Sequence, residues 1–277
     1  MSKADVKFPS SGGGQGIEGT SYVFVSANGT DGQNATELQA AYNLAKTMSP
    51  SATNRITIIA ANGYYDFGGS AFVMDTQYID LVSLDGNRSV IFNSSNVNGT
   101  ISITANDVFV KGVDVQTKSF TIADNLNLLK VENCKGGDSS FGSGVTLSGT
   151  FTNCDGGFAS FATDGTASGT FINCTGGNYS FGGAFFSNGT ASGIFTNCTG
   201  GNFSFSGALG GFFTATASGT FTHCIGGSNS FGSGSLFSTL SGKLYWCKLT
   251  SGAFNTVSGS GQTRMCLTGT NVEDNQG

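Results

Sequence analysis

The segment GTFTNC (149–154) returns as GTFINC (169–174), GIFTNC (193–198) and GTFTHC (219–224), each copy closing on a cysteine or leading to one at the same place. Working outward from it, the cysteines stand at 134, 154, 174, 198, 224, 247 and 266, at intervals of 20, 20, 24, 26, 23 and 19 residues. A period of this length marks a solenoid, in which a repeat buries its apolar face only by stacking on its neighbours. Seven residues past each of the first six cysteines comes a phenylalanine: Phe141, Phe161, Phe181, Phe205, Phe231 and Phe254. A serine precedes all but the last of these. The length variation falls between that Phe and the next copy of the segment, in gaps of 8, 12, 14 and 11 residues. Each repeat therefore has a constant part and a variable corner.

The constant part predicts short strands. In G-T-F-T-N-C the Phe (151, 171, 195, 221) alternates with outward Thr or Ile, a period-2 pattern. Asn and Cys mark a corner, the following Gly-Gly is expected to supply a positive-φ turn, and the next strand carries the Ser-Phe step inward. Stacked about 4.8 Å apart, such rungs place Phe on Phe, Asn on Asn and Cys on Cys. The glycines would interrupt any helical repeat. The expected fold class is all-β, a single-stranded right-handed parallel β-helix with an N-terminal amphipathic capping helix. Residues 1–20 read as a flexible attachment arm, 21–54 as a strand and the capping helix, 55–268 as the β-helix and 269–277 as a C-terminal tail. The regular repeats begin at about residue 129. The helix is predicted over 34–48, capped by Asn34 or Thr36, with Leu38, Ala41, Tyr42, Ala45 and Met48 on one face.

Composition narrows the function classes. The chain of 277 residues has 44 glycines but also 24 phenylalanines, which gives it a core that a disordered Gly-rich linker would lack. With 12 Lys and Arg against 17 Asp and Glu, it lacks the basic face that a nucleic-acid partner needs. No apolar run of membrane-spanning length and no secretory leader is read in it. Seven cysteines without a paired C-x-x-C, and a single histidine at 223, supply no metal set, and no cofactor is expected. The thiols are expected to be reduced and buried, since in-register side chains point in parallel.

Farther out, VFVSANGTDGQNATELQAAYNLAK (23–46), NRITIIAANGYYDF (54–67) and ITANDVFVKGVDV (103–115) precede the GTFTNCTGG-type rungs. Together these resemble right-handed parallel β-helices of the pectin-lyase-like class, and especially virion-associated proteins of marine tailed bacteriophages. The resemblance covers roughly residues 20 to 270. It implies a virion-surface or tail-fibre protein made in the host cytoplasm. The arm would attach to other virion or tail proteins, the partner would be host surface polysaccharide, and a homotrimer is a common assembly of such fibres. The class contains both polysaccharide-cleaving enzymes and inert fibres.

Charge placement bears on that choice. Between Ser140 and Ser241 the charged residues are Asp155 and Asp164 alone, too few for a catalytic carboxylate pair with a basic residue. Asp114, Lys135 and Asp155 fall on one column, and Lys111 and Glu132 on another, where opposite charges on neighbouring rungs pair. A depolymerase would have to use acidic residues before Gly136, of which Asp66, Asp75, Asp80 and Asp85 could cluster. A bacterial surface adhesin is a further alternative, disfavoured by the lack of a leader. An outward array of Thr150, Thr152, Thr170, Thr196, Thr220 and Thr222 resembles an ice-binding face, but Ile172 and Ile194 interrupt it and β-propensity accounts for it. Sequons at Asn173 and Asn202 read as corner and turn asparagines.

The variable corners GGAFFSNGTAS (182–192), SGALGGFFTATAS (206–218) and GSGSLFSTLS (232–241) are the expected ligand-facing ridge. Phe186, Asn188, Phe212, Phe213 and Phe237 are the candidate binding residues there, suited to stacking on sugar rings, and no residue is assigned a catalytic role.

Overall fold

A computed structural model describes residues 6–7, 20–93, 101–183, 185, 188–208, 214–231, 239–251, 262–268 and 271–275. The chain is a parallel β-solenoid. Its longest face stacks Thr20–Val25, Arg55–Ala60, Ile79–Ser83, Phe109–Lys111, Lys130–Glu132, Thr150–Thr152, Thr170–Ile172, Ile194–Thr196, Thr220–Thr222, Lys243–Tyr245 and Gln262–Thr268 as one parallel ladder. Val6–Lys7 adds an antiparallel strand at one end, and Asn271–Asn275 one at the other. A second face carries Gly63–Tyr65, Val90–Phe92 and Val113–Asp114, then continues as single bridges from Asp114 through Lys135, Asp155, Thr175 and Thr199 to Ile225. The third face changes along the axis. Phe72–Met74, Ile101–Ile103 and Phe120–Ile122 form it first. Thr146–Leu147, Thr166–Ala167, Gly189–Ala191, Ala215–Ala217 and Thr239–Leu240 form a separate sheet later.

The register is the one the repeat predicts. Phe151 pairs with Phe171, Phe171 with Phe195, and Phe195 with Phe221. One α-helix, Asp31–Thr47, packs on the first strands, with Leu38, Ala41, Tyr42 and Ala45 buried. Met48 also packs against the core, and the Tyr42 ring meets Phe72 edge-on at 5.3 Å. The helix begins three residues ahead of its predicted start. Its cap is Thr30, in a capping box with Gln33, whereas Asn34 points inward and donates to the Tyr64 carbonyl at 3.0 Å.

The repeat corrects two expectations. The Gly-Gly pair carries no positive φ, which falls instead on the corner residues Asn133, Asn153, Asn173, Asn197 and His223, at 51 to 53°. Asparagine tolerates this region better than other non-glycine residues. The glycines serve close approach: a Cβ on Gly200 would lie 2.5 Å from the Ser204 Cβ. The Ser-Phe step is not a strand. Ser160 and Phe161, though adjacent, are both fully buried, and so are Ser180 with Phe181 and Ser204 with Phe205. A strand sends neighbours to opposite faces. The chain instead breaks the alternation with left-handed residues at 159 and 161, 179 and 181, and 203 and 205.

Two phenylalanine columns fill the interior. Phe141, Phe161, Phe181, Phe205 and Phe231 stack at 4.7 to 4.8 Å with interplanar angles of 2 to 12°. Phe151, Phe171, Phe195 and Phe221 stack at 4.8 to 5.1 Å. The columns meet edge to face, as at Phe151 and Phe161 with 86° between rings. All seven cysteines are buried and free. The Cys174 thiol donates to the Phe151 carbonyl one rung back at 3.4 Å, and Cys198 does the same to Phe171 at 3.3 Å. Burial pushes the Cys134 and Cys174 thiols up, away from the reactive thiolate. The corner asparagines form the expected ladder, each amide nitrogen donating to the previous oxygen at 3.1 to 3.2 Å from Asn153 to Asn197. His223 and Trp246 continue this corner with stacked rings.

Candidate functional site

Of the candidate binding residues, Phe186, Phe212, Phe213 and Phe237 lie outside the described residues. Asn188 is exposed, and its Oδ1 accepts from the Thr214 backbone N–H at 2.9 Å, so the side chain ties one rung to the next. Asp164 ties the previous rung in the same way, accepting from the Phe185 N–H at 2.6 Å.

A different set of aromatics gathers at the corner after Gly-Gly. Phe158 is exposed at 36 %, and its ring meets Tyr179 at 5.5 Å and Phe185 at 5.4 Å, both edge-on. Tyr179 stacks flat on Phe203 at 5.0 Å with 5° between the rings. Burial of the Tyr179 ring pushes its hydroxyl pKa up. Tyr179 and Phe203 occupy the same place on their rungs, two residues before the inward Phe, whereas Phe158, three before its own, stands at the position that Asn178 and Asn202 take on later rungs. Beside this aromatic strip runs a polar column in which Asp138, Asn178 and Asn202 each accept from a backbone N–H of the next rung at 2.8 to 2.9 Å. The cysteine ruler contains this signal: Tyr179 and Phe203 each stand five residues past a cysteine. Attention to the variable corner passed it over.

The acidic residues do not converge. Asp80 accepts from Arg55 through both oxygens, at 2.7 and 3.0 Å, and from the Phe109 N–H at 2.8 Å. Arg55 also reaches Asp107 at 2.6 Å, so one guanidinium joins three rungs. Its hydrogen bonds to Asp80, opposed by burial and helped by Asp107, hold the guanidinium proton above its ordinary range. Burial alone would raise Asp75, but hydrogen bonds from Lys46, Thr76 and Tyr42 hold its carboxyl below the usual range. Asp85 is held low by Ser89 and the Asn87 N–H, and Asp66 accepts from the Gly68 N–H in its own turn. The charge ladders form as predicted for Lys111 with Glu132, 2.7 Å, and Lys135 with Asp114, 3.9 Å. Asp155 turns instead to Arg88, which also donates to the Asn153 carbonyl at 2.7 Å.

A groove of about 420 Å³ lies over this charged face, lined by Arg55, Asp80, Asp107, Lys130 and Glu132 among others. A second, of about 510 Å³, lies on another side and is lined by Thr117, Ser119, Thr121, Asp138, Ser139 and Ser143 with Ile122 and Val145. Among the described residues no group of His, Cys, Asp and Glu is placed to hold a metal ion, and no helix is long and apolar enough to cross a membrane. No protein-family model, no curated protein and no solved structure matches the chain.

Proposed function

We propose that the protein is a non-enzymatic structural rod of the virion or tail-fibre type that contacts host surface glycans. The observation that carries this reading is the pair of rings at Phe158, exposed, and Phe203, half-buried, held by the buried Tyr179 between them and standing beside Asn178 and Asn202. Aromatic faces stack on the apolar face of a sugar while neighbouring amides take its hydroxyls. The rungs hold both in place before binding, which lowers the ordering cost. The pectin-lyase-like and marine-phage resemblance of residues 20–270 supports the same reading, with the N-terminal arm joining other virion proteins and three copies forming the fibre. Single contacts of this kind are weak, and many copies on one particle supply the adhesion.

The second reading is a polysaccharide depolymerase, favoured by the charged groove around Arg55. Against it, both Asp80 oxygens are already occupied. One experiment separates the two. The full chain is incubated with bacterial lipopolysaccharides and capsular polysaccharides, and both retention and new reducing ends or unsaturated sugars are measured. Retention without cleavage, lost in a folded Phe158→Ser/Phe203→Ser variant, supports the rod. Chain cleavage overturns it, and undiminished retention by the folded variant assigns these aromatics to packing.

A further inference from the structure

We propose that the groove between residues 117 and 145 is a subsite for uncharged glycan units that discriminates against anionic ones. This rests on the glycan-contact reading above and names the class of sugar.

Asp138 Oδ1 accepts from the Phe158 N–H at 2.8 Å. Asn178 does the same for Asn202 at 2.8 Å, and Asn202 for Ser228 at 2.9 Å. The structural task is thus met by a neutral amide on two later rungs, and the ladder has no need of a carboxylate. Asp138 nevertheless brings a full charge, is exposed, and forms no ion pair among the described residues. That charge is surplus to the fold.

It stands at the lip of a cavity of about 510 Å³, a size typical of small-molecule sites. The Ser119 hydroxyl donates to the Asp138 carbonyl at 3.1 Å. Those of Thr117, Thr121, Ser139 and Ser143 have no partner among the described residues. A hydroxyl both donates and accepts, which matches a polyol whose groups do the same. A carboxylate accepts from sugar hydroxyls in charge-assisted bonds but repels a uronate or sulfate. Phe158 stands on the next rung, against Asp138. Its backbone is clamped to this rung at both ends, its N–H to Asp138 and its carbonyl by the Ser139 N–H at 2.7 Å. Phe158 packs on the buried Tyr179, which stacks on the half-buried Phe203, so a chain leaving the groove along the axis passes from Phe158 toward Phe203.

The test is affinity electrophoresis of the full chain in gels containing laminarin, mannan or dextran, against alginate and dextran sulfate, at low salt. At least one neutral polymer should retard the protein more strongly than either anionic one. Asp138→Asn keeps the acceptor for Phe158 and should fold. It should narrow the neutral-over-anionic preference by about fivefold, the effect of one charge contact across water. Ser143→Ala should weaken retention by the neutral polymer. Stronger retention by the anionic polymers, or an unchanged preference in Asp138→Asn, overturns the subsite. Loss of retention in Phe203→Ser with no response to Asp138→Asn or Ser143→Ala removes the groove and leaves the aromatic strip standing. No retention of the native chain by any of the five polymers overturns the subsite, while lipopolysaccharide or capsule binding through the strip remains separately measurable.

Discussion

The rungs between residues 55 and 122 and those between 130 and 245 share one parallel ladder yet are held together differently. In the first region three faces are true strands, the core is largely Ile, Val, Leu and Met, and the aromatics Tyr42, Phe67, Phe72 and Phe92 meet tilted or edge-on. Successive rungs differ, and only at its end does a ring find a copy of itself above, where Phe120 stacks on Phe141 at 4.9 Å. Ion pairs across rungs hold the outer faces there, from Arg55 to Asp80 and Asp107 and from Lys111 to Glu132. In the second region near-identical rungs let rings lie flat on rings and amides on amides. That order comes with left-handed backbone at Asn173, Tyr179 and Phe181 within a single rung, at about 1–2 kcal/mol for each such residue. A buried Phe returns about 1.5–3 kcal/mol from burial and about 0.5–1.5 more for each aromatic partner, enough to offset it. The first region has such residues too, at Tyr78, Asp107 and Gln116, but the stacked rings of the second offset several of them in each rung.

The largest effect expected from this difference is at the stacks. Phe195→Ala should destabilise by about 3–5 kcal/mol in denaturant unfolding, because the rings of Phe171 and Phe221 are fixed in register and cannot close the gap. Thr196→Ala on the outer side of the same strand should stay within about 0.5 kcal/mol. Equal costs would break the assignment of faces.

A smaller effect separates backbone from side chain at the corner. Asn173→Ala should cost about 1–3 kcal/mol, from the left-handed φ of 52° and the lost ladder bonds to Asn153 and from Asn197. Asn173→Gly should recover the backbone share and lose the two bonds alone. If the alanine and glycine variants melt together, the corner strain is absent and the contrast between the two regions rests on the ring stacks alone.

The smallest effect is one of pH and belongs to the first region. Burial pushes the Tyr42 hydroxyl up to about 12, opposed by its bond from the Thr76 N–H. Below about pH 10, where an unfolded tyrosine titrates, the group is neutral in both states and contributes no slope. Above that the unfolded chain loses the proton first, so stability falls as pH rises toward about 12. Tyr42→Phe should flatten this alkaline loss in melts taken at rising pH, and an unchanged slope would place the titrating group elsewhere.

The spacing of the cysteines and the GTF copies was enough, without coordinates, to specify a parallel solenoid, the Phe-on-Phe register and the asparagine ladder. In-register stacking turns a sequence period directly into a spatial column. The end of the helix was legible too, but not its start, because the Thr30–Gln33 capping box sits in a glycine-rich stretch that reads as a turn. The Ser-Phe step was beyond a period-2 reading, since two adjacent inward side chains need a left-handed residue that no alternation announces. Only the tertiary structure could bring Arg55 to Asp80 and Asp107, or Arg88 to Asp155, across 25, 52 and 67 residues of chain. The same holds for the aromatic strip and the hydroxyl-lined groove. Sequence period says which residues share a column, but which columns face water side by side depends on how the corners turn, and the left-handed residues within each rung set that turn.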